Sequence, residues 1–188
     1  MPLTTYTAGQ VLTASSLNAN LSFAASAGGL TLVKAQTIGT TVGSVTVTDA
    51  FSATYENYVI TISGGIASGN VNISMILGAT TANYAYNNIY LQYSSTTVNG
   101  EASNSAANWL RVARGSANSL DGEITLKSPF EAKRTTAQFR TSSSATNELW
   151  SMGGGYLNDA TSYTAFTLTP ATGTLTGGTI RVYGYSNS

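Results

Sequence analysis

Short stretches in which every second residue is apolar recur along most of this chain, with glycine or polar residues between them. Tyr58, Ile60 and Ile62 alternate with Val59, Thr61 and Ser63 before the expected turn Gly64-Gly65; Val71, Ile73, Met75 and Leu77 alternate with Asn72, Ser74 and Ile76 before Gly78. The same pattern returns at Ile124 and Leu126, Ala137 and Phe139, Phe166 and Leu168, and Ile180 and Val182. A period of two puts the apolar side chains on one face of a strand and the polar ones on the other, so each run predicts a half-buried strand. Leu30 to Ile38 and Val45 to Phe51 are further strands with less regular faces, as are Tyr84 to Tyr93 and Trp109 to Ala113. The polar stretch from Ser94 to Asn108 reads as a loop. Many short strands without helical spacing between them predict an all-β fold, an antiparallel β-sandwich or jelly roll.

The first residues depart from this pattern. Thr5 to Leu21 read as a turn followed by one short helix, with Thr13 as its N-cap and Leu12 stapled on Leu17. Leu17 and Leu21 share a face that, with Val11 and Phe23, is too small to form a core by itself and needs a partner surface. The expected organisation is therefore a docking segment with a short helix over residues 1–27 and a β-sandwich domain over 28–188.

The opening Tyr6-Thr7-Ala8-Gly9 with Val11-Leu12-Thr13-Ala14 and Leu17-Asn18-Ala19-Asn20-Leu21 resembles the N-termini of tailed-bacteriophage virion structural proteins of the fibre, minor tail or capsid decoration type. The segment Ser128 to Thr136 and the closing Gly178 to Tyr185 are similar to the β domain of such proteins. The resemblance implies that Tyr6, Val11, Leu12, Leu17, Leu21 and Phe23 dock the chain on other virion proteins of a capsid or tail platform. It further implies a location at the virion surface and, because the family often builds trimers, a homotrimer.

Composition narrows the function classes. The 188 residues carry 8 Lys+Arg against 8 Asp+Glu, and 9% charged residues is far below the roughly one quarter usual in soluble domains. A nucleic-acid partner requires a cationic surplus or a basic face, and Lys133-Arg134 is the only adjacent basic pair, so none is expected. A charge-poor surface offers little repulsion between copies and suits assembly. With no cysteine, disulfides and thiolate metal sites are excluded. The first residues lack the basic run and apolar core of a secretory signal, so none is expected, and no apolar run is long enough for a membrane span.

Catalysis is poorly supplied. Histidine is absent, and with it the usual general base and the commonest metal ligand. No Gly-x-Ser-x-Gly or Ser-x-x-Lys pattern occurs. A glycosidase needs two facing carboxylates, and Glu101, Asp121, Glu123, Glu131, Glu148 and Asp159 are scattered among turns and polar faces. No enzyme activity, metal or cofactor is expected. Gly153-Gly154-Gly155 lacks the following helix and lysine of a phosphate loop and instead marks a bulge or a close backbone approach, while Gly177-Gly178 reads as a turn.

Recognition falls to the aromatic residues. Eleven Tyr stand in a Ser, Thr and Asn background, and Tyr84, Tyr86, Tyr90 and Tyr93 cluster as candidate receptor or glycan contacts. Tyr is equally a favoured strand residue, so sheet packing or subunit contact stands beside that role. The functional expectation is a non-enzymatic virion structural protein, in first place a tail- or fibre-associated adhesin for host attachment through a surface glycan or receptor. A capsid decoration (cement or head-fibre) protein and a secreted carbohydrate-binding module are the alternatives.

Overall fold

The computed structural model describes residues 5, 7–11, 13–18, 29–143 and 149–186. Strands follow in the order β1 (Leu30–Thr37), β2 (Val45–Val47), β3 (Asn57–Ala67), β4 (Val71–Leu77), β5 (Tyr84–Gln92), β6 (Asn99–Ala106), β7 (Trp109–Gly115), β8 (Leu120–Lys127), β9 (Thr135–Ser142), β10 (Leu149–Leu157), β11 (Phe166–Pro170) and β12 (Leu175–Tyr185). All pairings between them are antiparallel. The fold is the expected all-β sandwich.

Its two layers diverge at β8. One edge of β8 pairs with β3 from Leu120 to Lys127; the other meets β7 only at Leu120 and Asp121 and then β9 from Glu123 onward. Strand β7 therefore peels away at this corner and carries β4, β11 and β2 with it, while β1-β12-β3-β8-β9-β10-β5-β6 continue as the large layer. The small layer lies over the inner face of the large one. There the Trp109 ring of β7 meets Tyr84 of β5 edge-on with centroids 5.0 Å apart, and Leu110 O accepts a hydrogen bond from Asn88 Nδ2 at 3.0 Å.

The predicted apolar faces supply the core. Tyr58, Ile60 and Ile62 of β3, Val71, Ile73, Met75 and Leu77 of β4, Ile124 and Leu126 of β8, and Phe166 and Leu168 of β11 belong to one buried cluster. Each fully buried aliphatic side chain contributes about 1.5–3 kcal/mol, so this cluster, rather than the few charge pairs, holds the layers together. Buried phenols are satisfied: Tyr58 OH donates to Ser52 O at 2.9 Å and accepts from Ser52 N at 2.8 Å.

Three expectations require correction. The stretch Ser94 to Asn108 is not all loop, because β6 pairs with β5 as an edge strand. Its residues are polar or small and none is buried, and main-chain pairing at an edge needs no apolar face. Gly64-Gly65 and Gly177-Gly178 are not turns at strand ends. They face each other inside the β3–β12 ladder, where Gly64, Gly177 and Gly178 have positive φ and bend both long strands together. The run Val45 to Phe51 contains only three strand residues, and Asp49 beyond them has φ 54°.

In the N-terminal segment, Gln10 N donates to Thr7 O at 3.1 Å and Gly9 has φ 93°, forming the expected turn. A single helical turn spans 14–18. Thr13 caps it, its Oγ1 accepting from Ser16 N at 3.3 Å. Tyr6, Leu12, Leu21 and Phe23, and with them the stapling contact and the 27/28 boundary, lie outside the described residues.

Candidate functional site

Alternation within β10 decides which of its side chains reach solvent. Leu149, Ser151 and Leu157 are buried, whereas Trp150, Met152 and Tyr156 are 36%, 46% and 39% exposed and point to the opposite, outer face of the large layer. Gly154 falls in the same row and contributes no side chain, so the row has a gap between Met152 and Tyr156. The partners in register on neighbouring strands complete the surface. Leu91, Ile89, Asn87 and Ala85 of β5 lie on one side, and Ser142, Arg140, Gln138 and Thr136 of β9 on the other.

Gly154 is the floor of a groove. A depression of ≈ 500 Å³ toward β5 and β6, lined by Asn87, Ala102, Asn104 and Tyr156 among others, meets one of ≈ 490 Å³ toward β8 and β9, lined by Thr125, Gln138, Arg140 and Met152. Both include Gly154. A third hollow adds Lys127 and Thr136, and a fourth continues past Glu123 and Arg140 to Trp150. Trp150 and Tyr156 are six residues apart on one strand, which sets the groove about 20 Å long.

The flanking glycines make this surface possible from below. A Cβ on Gly155 would run into the Ala85 carbonyl and stand 2.9 Å from Tyr86 Cα, and one on Gly153 would collide with the Asn88 side chain. The sequence expectation of a close backbone approach at Gly153-Gly154-Gly155 is met here, within an unbulged strand.

Electrostatically the groove is divided. At the Trp150 end, Arg140 Nη2 donates to Glu123 Oε2 at 2.9 Å, a hydrogen bond that raises the Arg140 pKa, and Asp121 Oδ2 accepts from Ser142 N at 3.1 Å. At the Tyr156 end, the Arg134 guanidinium lies over the Tyr156 ring, 5.4 Å from its centroid, with Nε donating to Asn158 Oδ1 at 2.7 Å.

The tyrosines singled out from sequence separate. Tyr84 is wholly buried, its OH accepting from Leu77 N at 2.8 Å and donating to Thr80 O at 3.1 Å, and burial pushes its phenol pKa well up. It is a core residue and not a surface contact. Tyr86 and Tyr90 share its inward-facing parity and are half-buried. Burial raises the Tyr86 pKa, and the Arg111 guanidinium covers the Tyr90 ring at 4.1 Å. Arg111, with φ 59°, also binds Glu101 through Nε–Oε1 at 2.6 Å and Nη2–Oε2 at 3.3 Å, and Asn72 Oδ1 through Nη1 at 2.9 Å. This cluster ties β6 and β5 of the large layer to β7 and β4 of the small one. Tyr93 is exposed beyond the end of β5.

Sequence reasoning thus missed Trp150, Met152 and Tyr156. The signal was present: Leu149 to Leu157 alternates buried and exposed side chains, but three glycines interrupt it. Of the candidate acids, Glu101, Glu123 and Glu131 are in ion pairs with Arg111, Arg140 and Lys133, and Asp159 accepts from Thr161 and Tyr163; Glu148 lies outside the described residues. Among the described residues no group of acids has metal-site geometry, and no helix is long and apolar enough to cross a membrane. In the N-terminal segment Val11 is 85% exposed and Leu17 is exposed as well. Comparison of the chain with protein-family models, curated proteins and solved structures finds no match.

Proposed function

We propose that this chain is a non-enzymatic structural protein of a virion surface, which docks through its N-terminal segment and binds a host surface glycan in the groove across β10. The observation that carries the reading is the outward row Trp150, Met152, Gly154 and Tyr156. It exposes Trp150 and Tyr156 at the two ends of a row in which Met152 and the side-chain-free gap at Gly154 lie between them, with amides and hydroxyls of Asn87, Thr125 and Gln138 alongside. Aromatic faces pack on the apolar faces of sugar rings while amides and hydroxyls exchange hydrogen bonds with sugar hydroxyls. Docking through residues 1–27 draws support from the sequence resemblance and from the exposure of the apolar side chains Val11 and Leu17.

The test has two arms. Trp150→Ala with Tyr156→Ala should abolish adsorption of the particle to host cells while the protein still incorporates. Deleting residues 1–27 should leave a folded body that no longer joins the particle. Adsorption unchanged by the double substitution overturns the groove assignment, and normal incorporation of the truncated chain overturns the docking assignment.

A capsid decoration role has its own support in β1. Among the described residues this strand pairs only with β12, and Leu30 and Leu32 on it are exposed, as suits contact with other copies. A homotrimer closed through such edges serves either role. Copy number separates them: a decoration protein covers the shell many times over, whereas an adhesin is confined to tail or fibre.

A further inference from the structure

We propose that the groove takes an acidic polysaccharide, whose carboxylates meet Lys127 and Arg134 at the Tyr156 end while sugar rings lie against the aromatic faces. This rests on the reading of the groove as a glycan site and adds the charge class of the glycan.

The cations of the chain are unevenly partnered. Lys34 pairs with Asp49, Arg111 with Glu101, Lys133 with Glu131 and Glu56, and Arg140 with Glu123. Lys127 lines the groove and has neither an ion pair nor a side-chain hydrogen bond among the described residues. Its register partner is Thr136, whose partner on the next strand is Tyr156. Arg134 immediately precedes β9 and its guanidinium lies over that Tyr156 ring, anchored through Nε to the neutral Asn158. Two cations with no carboxylate partner among the described residues thus stand at the Tyr156 end of the groove in a chain of zero formal net charge.

Arg134, held through Nε and the ring, keeps its two terminal nitrogens for a planar carboxylate, which accepts from both at once. Lys127 supplies a point charge for a second carboxylate. At the far end Glu123 is paired with Arg140 and Asp121 adds a negative charge, so the acidic groups of the polymer are confined to the Tyr156 end and Trp150 meets an uncharged part of the sugar. The groove length of about 20 Å calls for a polymer rather than a single sugar. A peptide adding to the sheet would need a free strand edge, and β10 is paired on both sides. Two cations are too few for a nucleic-acid backbone.

The experiment is affinity electrophoresis of the full chain through gels containing polygalacturonate, alginate, dextran sulfate or neutral dextran, with thermal unfolding as the fold check. Wild type should be retarded by at least one of the two carboxylated polymers and not by dextran. Lys127→Gln with Arg134→Gln should weaken that retardation about tenfold or more, as should Tyr156→Ala, whereas Lys34→Gln should leave it unchanged. Both substituted cations are exposed, so the melting temperature should hold. Equal retardation by dextran, lost on Trp150→Ala, would overturn the acidic-ligand assignment while leaving a glycan groove. Retardation by dextran sulfate alone would replace carboxylate by sulfate, and an equal loss in Lys34→Gln would reduce the effect to diffuse charge. No retardation by any polymer would defeat both the inference and the glycan reading beneath it.

Discussion

On the inner face of β5, Tyr84, Tyr86 and Tyr90 lie beneath β7, against Trp109 and Arg111; on the outer face of β10, Trp150 and Tyr156 stand in solvent over a floor of glycine. The strands are direct neighbours, and on each the aromatic residues are an even number of positions apart and so share one face. They differ in the parity of those residues relative to the layer that covers the sheet. An aromatic cluster in a sequence says only that ring surface is available, while its phase against buried neighbours says whether the surface packs or binds.

The sharpest way to break this contrast is to truncate one tryptophan from each face. Trp109→Ala should cost about 3–5 kcal/mol, because the ring is fully buried against Tyr84 and its loss leaves a cavity between the layers. Trp150→Ala should change stability by no more than about 0.5 kcal/mol. Denaturant titration of the two variants reads both effects. Comparable losses would mean that Trp150 belongs to the fold and that the outer row is not a free surface.

The glycines sharpen the same contrast at smaller scale. In Gly155→Ala the added Cβ meets backbone of β5 that cannot rotate away, so it should destabilise by about 1–3 kcal/mol. Gly154→Ala should cost less, since its Cβ stands 2.9 Å from the Ala137 carbonyl and 3.6 Å from Gln138 Cγ, yet it raises the groove floor. Reduced glycan retardation at modest cost in stability should therefore mark position 154 and not 155. An unaffected melting temperature in Gly155→Ala would show that β5 and β10 yield more readily than their close approach implies.

How much of this was legible in the sequence follows from the same geometry. Strands β3, β4, β8, β9, β11 and β12 announce themselves because one face of each enters the core, which forces apolar residues into a period of two. Strand β6 has no buried face and leaves no such trace, so Asn99 to Ala106 reads like a loop although its main chain is paired. In β10 the glycines demanded by close approach to Ala85 and Asn88 erase the alternation at its centre, hiding the row that Trp150 and Tyr156 define. The tyrosines of β5 were visible as a group, but the face they occupy depends on where β7 crosses, and that is settled by the corner at Leu120 and Asp121, far along the chain. The Arg111–Glu101 pair is equally nonlocal in meaning: nothing in either neighbourhood signals that β6 and β7 meet there.

The smallest expected effect concerns the rim at which the inner aromatic face reaches solvent. Asp159 accepts from Thr161 N at 2.8 Å, from Thr161 Oγ1 at 2.6 Å and from Tyr163 OH at 3.0 Å, and these hydrogen bonds, that from the Thr161 hydroxyl foremost, hold its pKa below the ordinary value. Tyr163 OH also meets Thr80 Oγ1 at 2.8 Å, and Thr80 O accepts from Tyr84, so the carboxylate ends a chain of hydrogen bonds leading into the core. A carboxyl with a depressed pKa in the folded state stabilises at pH above its unfolded value of about 3.9, and that contribution is lost as pH falls through the folded pKa. Asp159→Asn retains an oxygen acceptor but cannot titrate, so its melting temperature should fall less steeply than that of wild type on acidification below about pH 4. The outer row contains no member of this chain of hydrogen bonds. Trp150→Ala should accordingly show the wild-type acid slope, offset by a constant. If Asp159→Asn runs parallel to wild type throughout the acid range, the carboxylate is not coupled to the inner face, and the rim is held by the hydroxyls alone.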